Sequence, residues 1–211
     1  MLYVWLVSLV EEKTLKLGGF KGQALLYQAK GTPVLFLHGL SYTIGVWERI
    51  GITEAIEEKK VPFLALDMPY GLKSDCHPKN RDAKANVDYA EEVYRSVFGD
   101  QPPLVVGASI GGYIALQYAK THPVKGLLLV APAHAFDDDA LVKAYRNFQF
   151  PIRVIWGNMD TIILGEEMRT LADQLPNTKM LVYAGAAHSA YQDDPKRFQR
   201  DLLDLYAHAT T

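Results

Sequence analysis

The chain has 211 residues, 49% of them hydrophobic and 22% charged, with a net charge of −2 at neutral pH. That length reads as one domain, residues 1–211, with apolar residues enough for a substantial core. There is no basic run and no interleaving of aromatic with basic residues, which excludes a nucleic-acid surface. The single cysteine, Cys76, excludes an internal disulfide framework and fits a reducing compartment such as the cytoplasm.

Met1 to Val10 is apolar but stops at Glu11-Glu12-Lys13. It falls short of the roughly 20 residues a membrane helix needs and lacks the positive start of a signal peptide. It reads as a first strand, and no membrane span is expected. Residues 3–17 alternate loosely, Gly18-Gly19 turns the chain, and Gln23 to Ala29 returns, which predicts an antiparallel hairpin. Val34-Leu35-Phe36-Leu37 is a short continuous apolar run, the mark of a strand buried on both faces. It ends in His38-Gly39-Leu40. Trp47 to Lys60 reads as a helix broken at Gly51. Phe63 to Leu66 is the next buried strand, followed by Asp67-Met68-Pro69-Tyr70-Gly71 and a polar loop. Ala83 to Phe98 places Val87, Ala90, Val93 or Tyr94, and Val97 on one helical face. Pro103 to Val106 leads as a strand into Gly107-Ala108-Ser109-Ile110-Gly111-Gly112, and Tyr113 to Ala119 leads out as a helix.

Gly126 to Val130 is again an unbroken apolar strand. Asp137-Asp138-Asp139 opens a short helix; the triplet caps and charges a helix N-terminus more simply than it holds a metal. Pro151 to Trp156 and Lys179 to Tyr183 read as strands, and Gly165 to Leu175 and Pro195 to Tyr206 as amphipathic helices. Buried strands alternating with such helices predict an α/β architecture, a mostly parallel sheet covered by helices on both faces with the hairpin at its N-terminal edge. Ala131 to Phe150 has room for one short helix, so a minimal cap or none is expected.

In an open parallel sheet, functional groups gather beyond the carboxyl ends of the strands. Those ends carry His38-Gly39-Leu40, Asp67, Ser109, Asp160 and His188. Gly107-Ala108-Ser109-Ile110-Gly111, between strand and helix, matches the G-x-S-x-G nucleophile elbow, and the chain order Ser, Asp, His is the hydrolase order. With Trp156-Gly157-Asn158-Met159-Asp160 and Gly185-Ala186-Ala187-His188, these residues make the chain resemble the α/β-hydrolase fold family. In length and spacing it is similar to the compact, cap-poor branch of small serine hydrolases.

The resemblance implies a Ser-His-Asp relay. Ser109 is expected as nucleophile, His188 as its base and Asp160 as the carboxylate that orients the imidazole. The backbone N–H groups of Leu40 and Ile110 are the expected oxyanion hole. Asp137 stays open as a rival acid, because the family sometimes draws the acid from the preceding strand end. His38 reads as a structural residue of its loop, and His134 as either a substrate contact or a surface histidine. Asp67 to Ser74 departs from the family's D-x-P-G-x-G-x-S loop at Tyr70 and Leu72-Lys73, which leaves that loop's shape open. Cys76 and His77 are neighbours in a loop and rarely face each other, so Cys76 reads as a loop thiol.

Candidate substrate contacts are Tyr42, Trp47, Met68, Met159 and Tyr191, with Tyr70, Phe136 and Ile162 as further apolar residues near strand ends. No arginine sits at a strand end, which favours a small neutral acyl substrate. The six histidines show no metal-ligand spacing, so no metal and no cofactor are expected. The favoured function is hydrolysis of small acyl esters or thioesters through an acyl-enzyme. The same triad also serves acyl transfer or removal of acyl groups from protein lysine, and a non-catalytic protein-interaction module on a hydrolase fold is the reading from another class. Nothing in the sequence indicates a protein partner.

Overall fold

A computed structural model of the chain describes residues 9–210. The expected strand over Met1 to Val10 lies almost wholly outside them. The described chain begins with β1 (Glu11–Leu17) and β2 (Phe20–Tyr27), an antiparallel hairpin in which Leu17 pairs with Phe20. Gly18 and Gly19 between them have φ of +58° and +79°, the left-handed pair that a two-residue hairpin turn of matching twist requires. β3 (Val34–Leu37) follows, then α1 (Gly45–Arg49) and α2 (Ile52–Glu58), separated where Gly51 takes a φ of +67°. Next come β4 (Phe63–Leu66), α3 (Ala83–Phe98), β5 (Leu104–Ala108), α4 (Ile110–Thr121) and β6 (Gly126–Val130). The chain ends with α5 (Asp139–Ala144), β7 (Ile152–Gly157), α6 (Gly165–Gln174), β8 (Thr178–Tyr183), α7 (Ala190–Asp193) and α8 (Pro195–Thr210).

The eight strands form one sheet in the order β1-β2-β4-β3-β5-β6-β7-β8. β2 meets β4 antiparallel, and every joint from β4 to β8 is parallel. The apolar runs are continuous because both faces are covered. Leu35, Leu37, Val105, Leu127 and Val154 pack on one side with Tyr89, Ile114, Leu141 and Met168 from α3 to α6. Val34, Phe36, Val106, Leu128 and Ile155 pack on the other with Trp47, Ile56, Tyr191 and Phe198 from α1, α2, α7 and α8. Alternate residues of one strand thus supply two separate cores, as the period of two dictates.

The stretch from Gly71 to Pro78, polar in composition, exposes Leu72, Lys73, Asp75, His77 and Pro78 but is anchored by the residues between them. Ser74 and Cys76 are buried, and the Lys79 ammonium straps the loop by donating to Gly71 O at 2.7 Å and Ser74 Oγ at 3.0 Å. Burial raises the Cys76 thiol to about 11, so it stays protonated and unreactive at neutral pH. Between β6 and β7 stand only the six residues of α5 and a single 3-10 turn, Tyr145–Asn147. Among the described residues no cap covers the carboxyl ends of the strands. α7, four residues long, has no counterpart in the sequence pattern, since one turn is too short to show a period.

β3 and β5 are neighbours, but the chain leaves them in opposite directions, to β4 on one side and β6 on the other. That reversal opens a crevice beyond their carboxyl ends.

Candidate active site

Ser109 stands at the end of β5, in the crevice. Its φ of +53° and ψ of −118° lie in a region that side-chain-bearing residues avoid. Surrounding bonds hold it there: its N–H donates to Val130 O at 2.8 Å, and its carbonyl accepts from Gly112 N–H at 2.9 Å and Ala133 N–H at 3.1 Å. The two flanking glycines are needed for different reasons. A Cβ on Gly107 would lie 2.3 Å from the Gly111 carbonyl oxygen across the turn, whereas one on Gly111 would strike the Leu37 carbonyl at 2.3 Å. Gly107 lets the elbow close on itself, and Gly111 lets α4 start against β3.

Asp160 and His188 reach Ser109 from the loops that follow β7 and β8. The His188 Nε2 lies 3.0 Å from Ser109 Oγ, and its Nδ1 lies 2.8 Å from Asp160 Oδ2. A carboxylate only accepts, so Nδ1 carries the proton and Nε2 is left to accept from the serine hydroxyl. The Asp160 side chain is fully buried. Its other oxygen, Oδ1, accepts from Ile162 N–H at 2.8 Å and Ile163 N–H at 3.1 Å. Asp137, the rival acid, instead holds His134 Nδ1 at 2.6 Å.

The loops that carry the acid and the base are stapled together. Met159 N–H donates to Ala186 O at 2.9 Å, and Gly185 N–H donates to Asn158 Oδ1 at 2.7 Å. A Cβ on Gly157 would sit 2.3 Å from both the Ala186 and Ala187 carbonyl oxygens. Gly157 and Asn158 are therefore positioning residues that sequence reasoning did not single out, although they stand in the segment that carries Asp160.

Leu40 and Ile110 both line the cleft beside Ser109, and neither amide donates to an acceptor among the described residues. His38, just before, is fully buried and structural. Its Nδ1–H donates to Gly39 O at 2.8 Å, and its Nε2 accepts from Met68 N–H at 3.0 Å. Burial lowers its pKa below the usual histidine value. A proton on Nε2 would face the Met68 N–H, so the ring stays neutral. Tyr70, where the family has glycine, fills the space above this ring and donates its hydroxyl to His38 O at 2.6 Å.

Two clefts open on either side of Ser109. One, of about 440 Å³, is lined by Leu40, Tyr70, Arg81, Ile110, Tyr113 and His134 among others. The second, of about 340 Å³, is lined by Leu40, Tyr42, Ile162, His188, Ser189 and Tyr191 among others. Tyr42 and Tyr191 of the expected contacts thus reach the site, and Tyr42 OH lies 3.0 Å from Ser189 Oγ. Trp47 and Met68 do not. Both are fully buried in the two cores, Trp47 against Tyr191 and Phe198, because an apolar residue near a strand end packs inward when a helix covers it. Met159 is 63% exposed and lines neither cleft. Arg81 was missed: it sits not at a strand end but in the loop before α3, which folds over the first cleft. Among the described residues no three His, Cys, Asp or Glu side chains are grouped to hold a metal ion.

Sheet order, elbow and strand-end loops define a class. The chain belongs to the α/β-hydrolase fold family, whose sequence pattern matches residues 32–150. Among its relatives, Protein ABHD14A of Danio rerio is 30% identical over 175 residues, 82% of this chain, and the chain spans 63% of that relative's length. Human ABHD14B, whose name provisionally gives it protein-lysine deacylase activity, is 28% identical over 200 residues, covering 88% of this chain and 91% of the relative. In three dimensions the fold matches a predicted CIB-like hydrolase from Thermoplasma acidophilum with a TM-score of 0.82, at 19% identity, over 92% of this chain and 96% of that one. No helix among the described residues is long and apolar enough to cross a membrane.

Proposed function

We propose that the chain is a serine hydrolase that cleaves small acyl esters or thioesters through an acyl-enzyme. The reading rests on one observation above others: His188 within hydrogen-bond reach of both Ser109 and Asp160. In this mechanism Ser109 Oγ attacks the acyl carbon while its proton passes to His188 Nε2. Asp160 stabilises the imidazolium that forms. The Leu40 and Ile110 amides take the negative charge of the tetrahedral intermediate, where loss of one donor costs roughly 3 kcal/mol of barrier. His188 returns the proton to the leaving alcohol or thiol. Water then repeats the sequence on the acyl-enzyme and releases the acid.

A fluorophosphonate probe is expected to label Ser109 and no other residue, and Ser109→Ala to abolish turnover of a short p-nitrophenyl ester. Probe labelling elsewhere, with Ser109→Ala still active, refutes the reading. Removal of acyl groups from protein lysine, or acyl transfer, is the second reading. It is favoured by the uncapped crevice, which admits a bulky leaving group, and by the name of the human relative. Turnover of an acyl-lysine peptide at rates rivalling the ester distinguishes it. A non-catalytic role would leave wild type unlabelled by the probe. The single buried thiol agrees with a cytoplasmic setting.

A further inference from the structure

We propose that the larger cleft selects acyl groups ending in a carboxylate, with Arg81 as the residue that reads it. The inference rests on the acyl-hydrolase reading and names its substrate class. Arg81 is exposed and lines the same cleft as Ser109, Leu40 and Ile110. It makes no ion pair or hydrogen bond among the described residues. The adjacent acid, Asp82, is otherwise engaged, since its Oδ1 caps α3 by accepting from Ala85 N–H at 2.8 Å. A guanidinium left without a counter-ion beside a candidate nucleophile is a ready partner for the planar carboxylate of a substrate.

The rest of the lining fits the same ligand. Tyr113 accepts from Gln117 Nε2 at 3.0 Å, and that amide also holds Asp138 Oδ2 at 2.7 Å. Tyr113 lines the cleft and also borders the neighbouring cavity that holds Gln117 and Asp138. Ile110, Ile114 and Ala133 supply apolar wall for the methylenes between the two ends of a short dicarboxylic acyl group. The cleft's one carboxylate, Asp137, is already paired with His134. Arg81 is thus the charge there without a counterpart.

The test compares kcat/KM of the full chain on matched thioesters of one thiol, butanoyl against succinyl and pentanoyl against glutaryl, after subtracting uncatalysed hydrolysis. Wild type is expected to prefer the carboxylate-ended member by about tenfold at low ionic strength, the preference shrinking as salt screens the pair. Arg81→Met is expected to lower the preference ratio by about tenfold, and Arg81→Lys to keep part of it. Arg81 supports no other side chain, so these variants are expected to fold as wild type does. A wild-type ratio of one or less, or a ratio unchanged by Arg81→Met, overturns the assignment. If Ser109 is labelled by the fluorophosphonate and the ratio is absent, only the carboxylate preference falls. If no acyl substrate is turned over and Ser109 is unlabelled, the hydrolase reading falls and takes the preference with it.

Discussion

Asp160 is the residue whose surroundings constrain its replacement most tightly. One oxygen orients His188, and the other accepts two backbone amides at the start of the next turn. Asp160→Asn can keep the amide oxygen on those two N–H groups and turn its NH2 toward His188. The imidazole is then forced to the wrong tautomer, with Nε2 protonated toward Ser109. The expected outcome is a fall in kcat of about 10⁴-fold with thermal stability close to wild type, measured by ester turnover and a melting curve on the same sample. Gly157→Ala works on the same relay from behind. Its new methyl group would sit 2.3 Å from two carbonyl oxygens of the His188 loop, so that loop must move. The variant is expected to lose about 1–3 kcal/mol of stability by overpacking and to lose ester turnover as well.

Among the elements, the β3 end and the loop after β4 are joined through a neutral His38 ring. Burial lowers its folded-state pKa below the ordinary 6.5. As pH falls below 6.5 the unfolded chain takes up a proton that the folded chain refuses. Stability from this site is therefore present above 6.5 and lost from there down to the folded pKa, at up to about 1.4 kcal/mol per pH unit. Urea unfolding of wild type and His38→Gln from pH 7.5 to 4.5 is expected to show a shallower acid slope in the variant, even though its absolute stability is lower. The N-terminus of α5 titrates further down. Asp138 is held at about 2, chiefly by the Gln117 amide, and it caps the helix through Ala140 N–H and Leu141 N–H. Its contribution is present above about 4 and lost as pH falls toward 2. Asp138→Ala is expected to cost about 1 kcal/mol at neutral pH, a difference that narrows in acid.

For the whole molecule, what matters is what lies over the crevice. The β6–β7 connection is built on one six-residue helix and one turn, and Ser109 is half-buried in the crevice. Exchanging a small alcohol leaving group for a bulky one, such as a hydroxyl-bearing peptide, is expected to change kcat/KM by less than about tenfold at matched leaving-group reactivity. A steep fall with leaving-group bulk would mean the crevice is closed by something other than a cap, and would remove the argument for large substrates.

Much of this was legible in the residues alone because it depends on local pattern. Continuous apolar runs marked the buried strands, Gly18-Gly19 marked the hairpin turn, and Gly107 with Gly111 marked a turn too tight for side chains. The chain order of Ser109, Asp160 and His188 suggested a Ser-His-Asp relay while leaving hydrolysis, acyl transfer and lysine deacylation open. What the sequence did not contain is which side chain meets which across the fold. Trp47, Met68 and Tyr191 are all buried, yet Tyr191 borders the cleft beside Ser109 together with the half-buried Tyr42, while Trp47 and Met68 line neither cleft. Arg81 stands outside every strand end and reaches the cleft only because the loop before α3 folds over it. Periodicity records the burial of a face; convergence of loops from separate strands is set by the sheet order, and only the tertiary structure decides that.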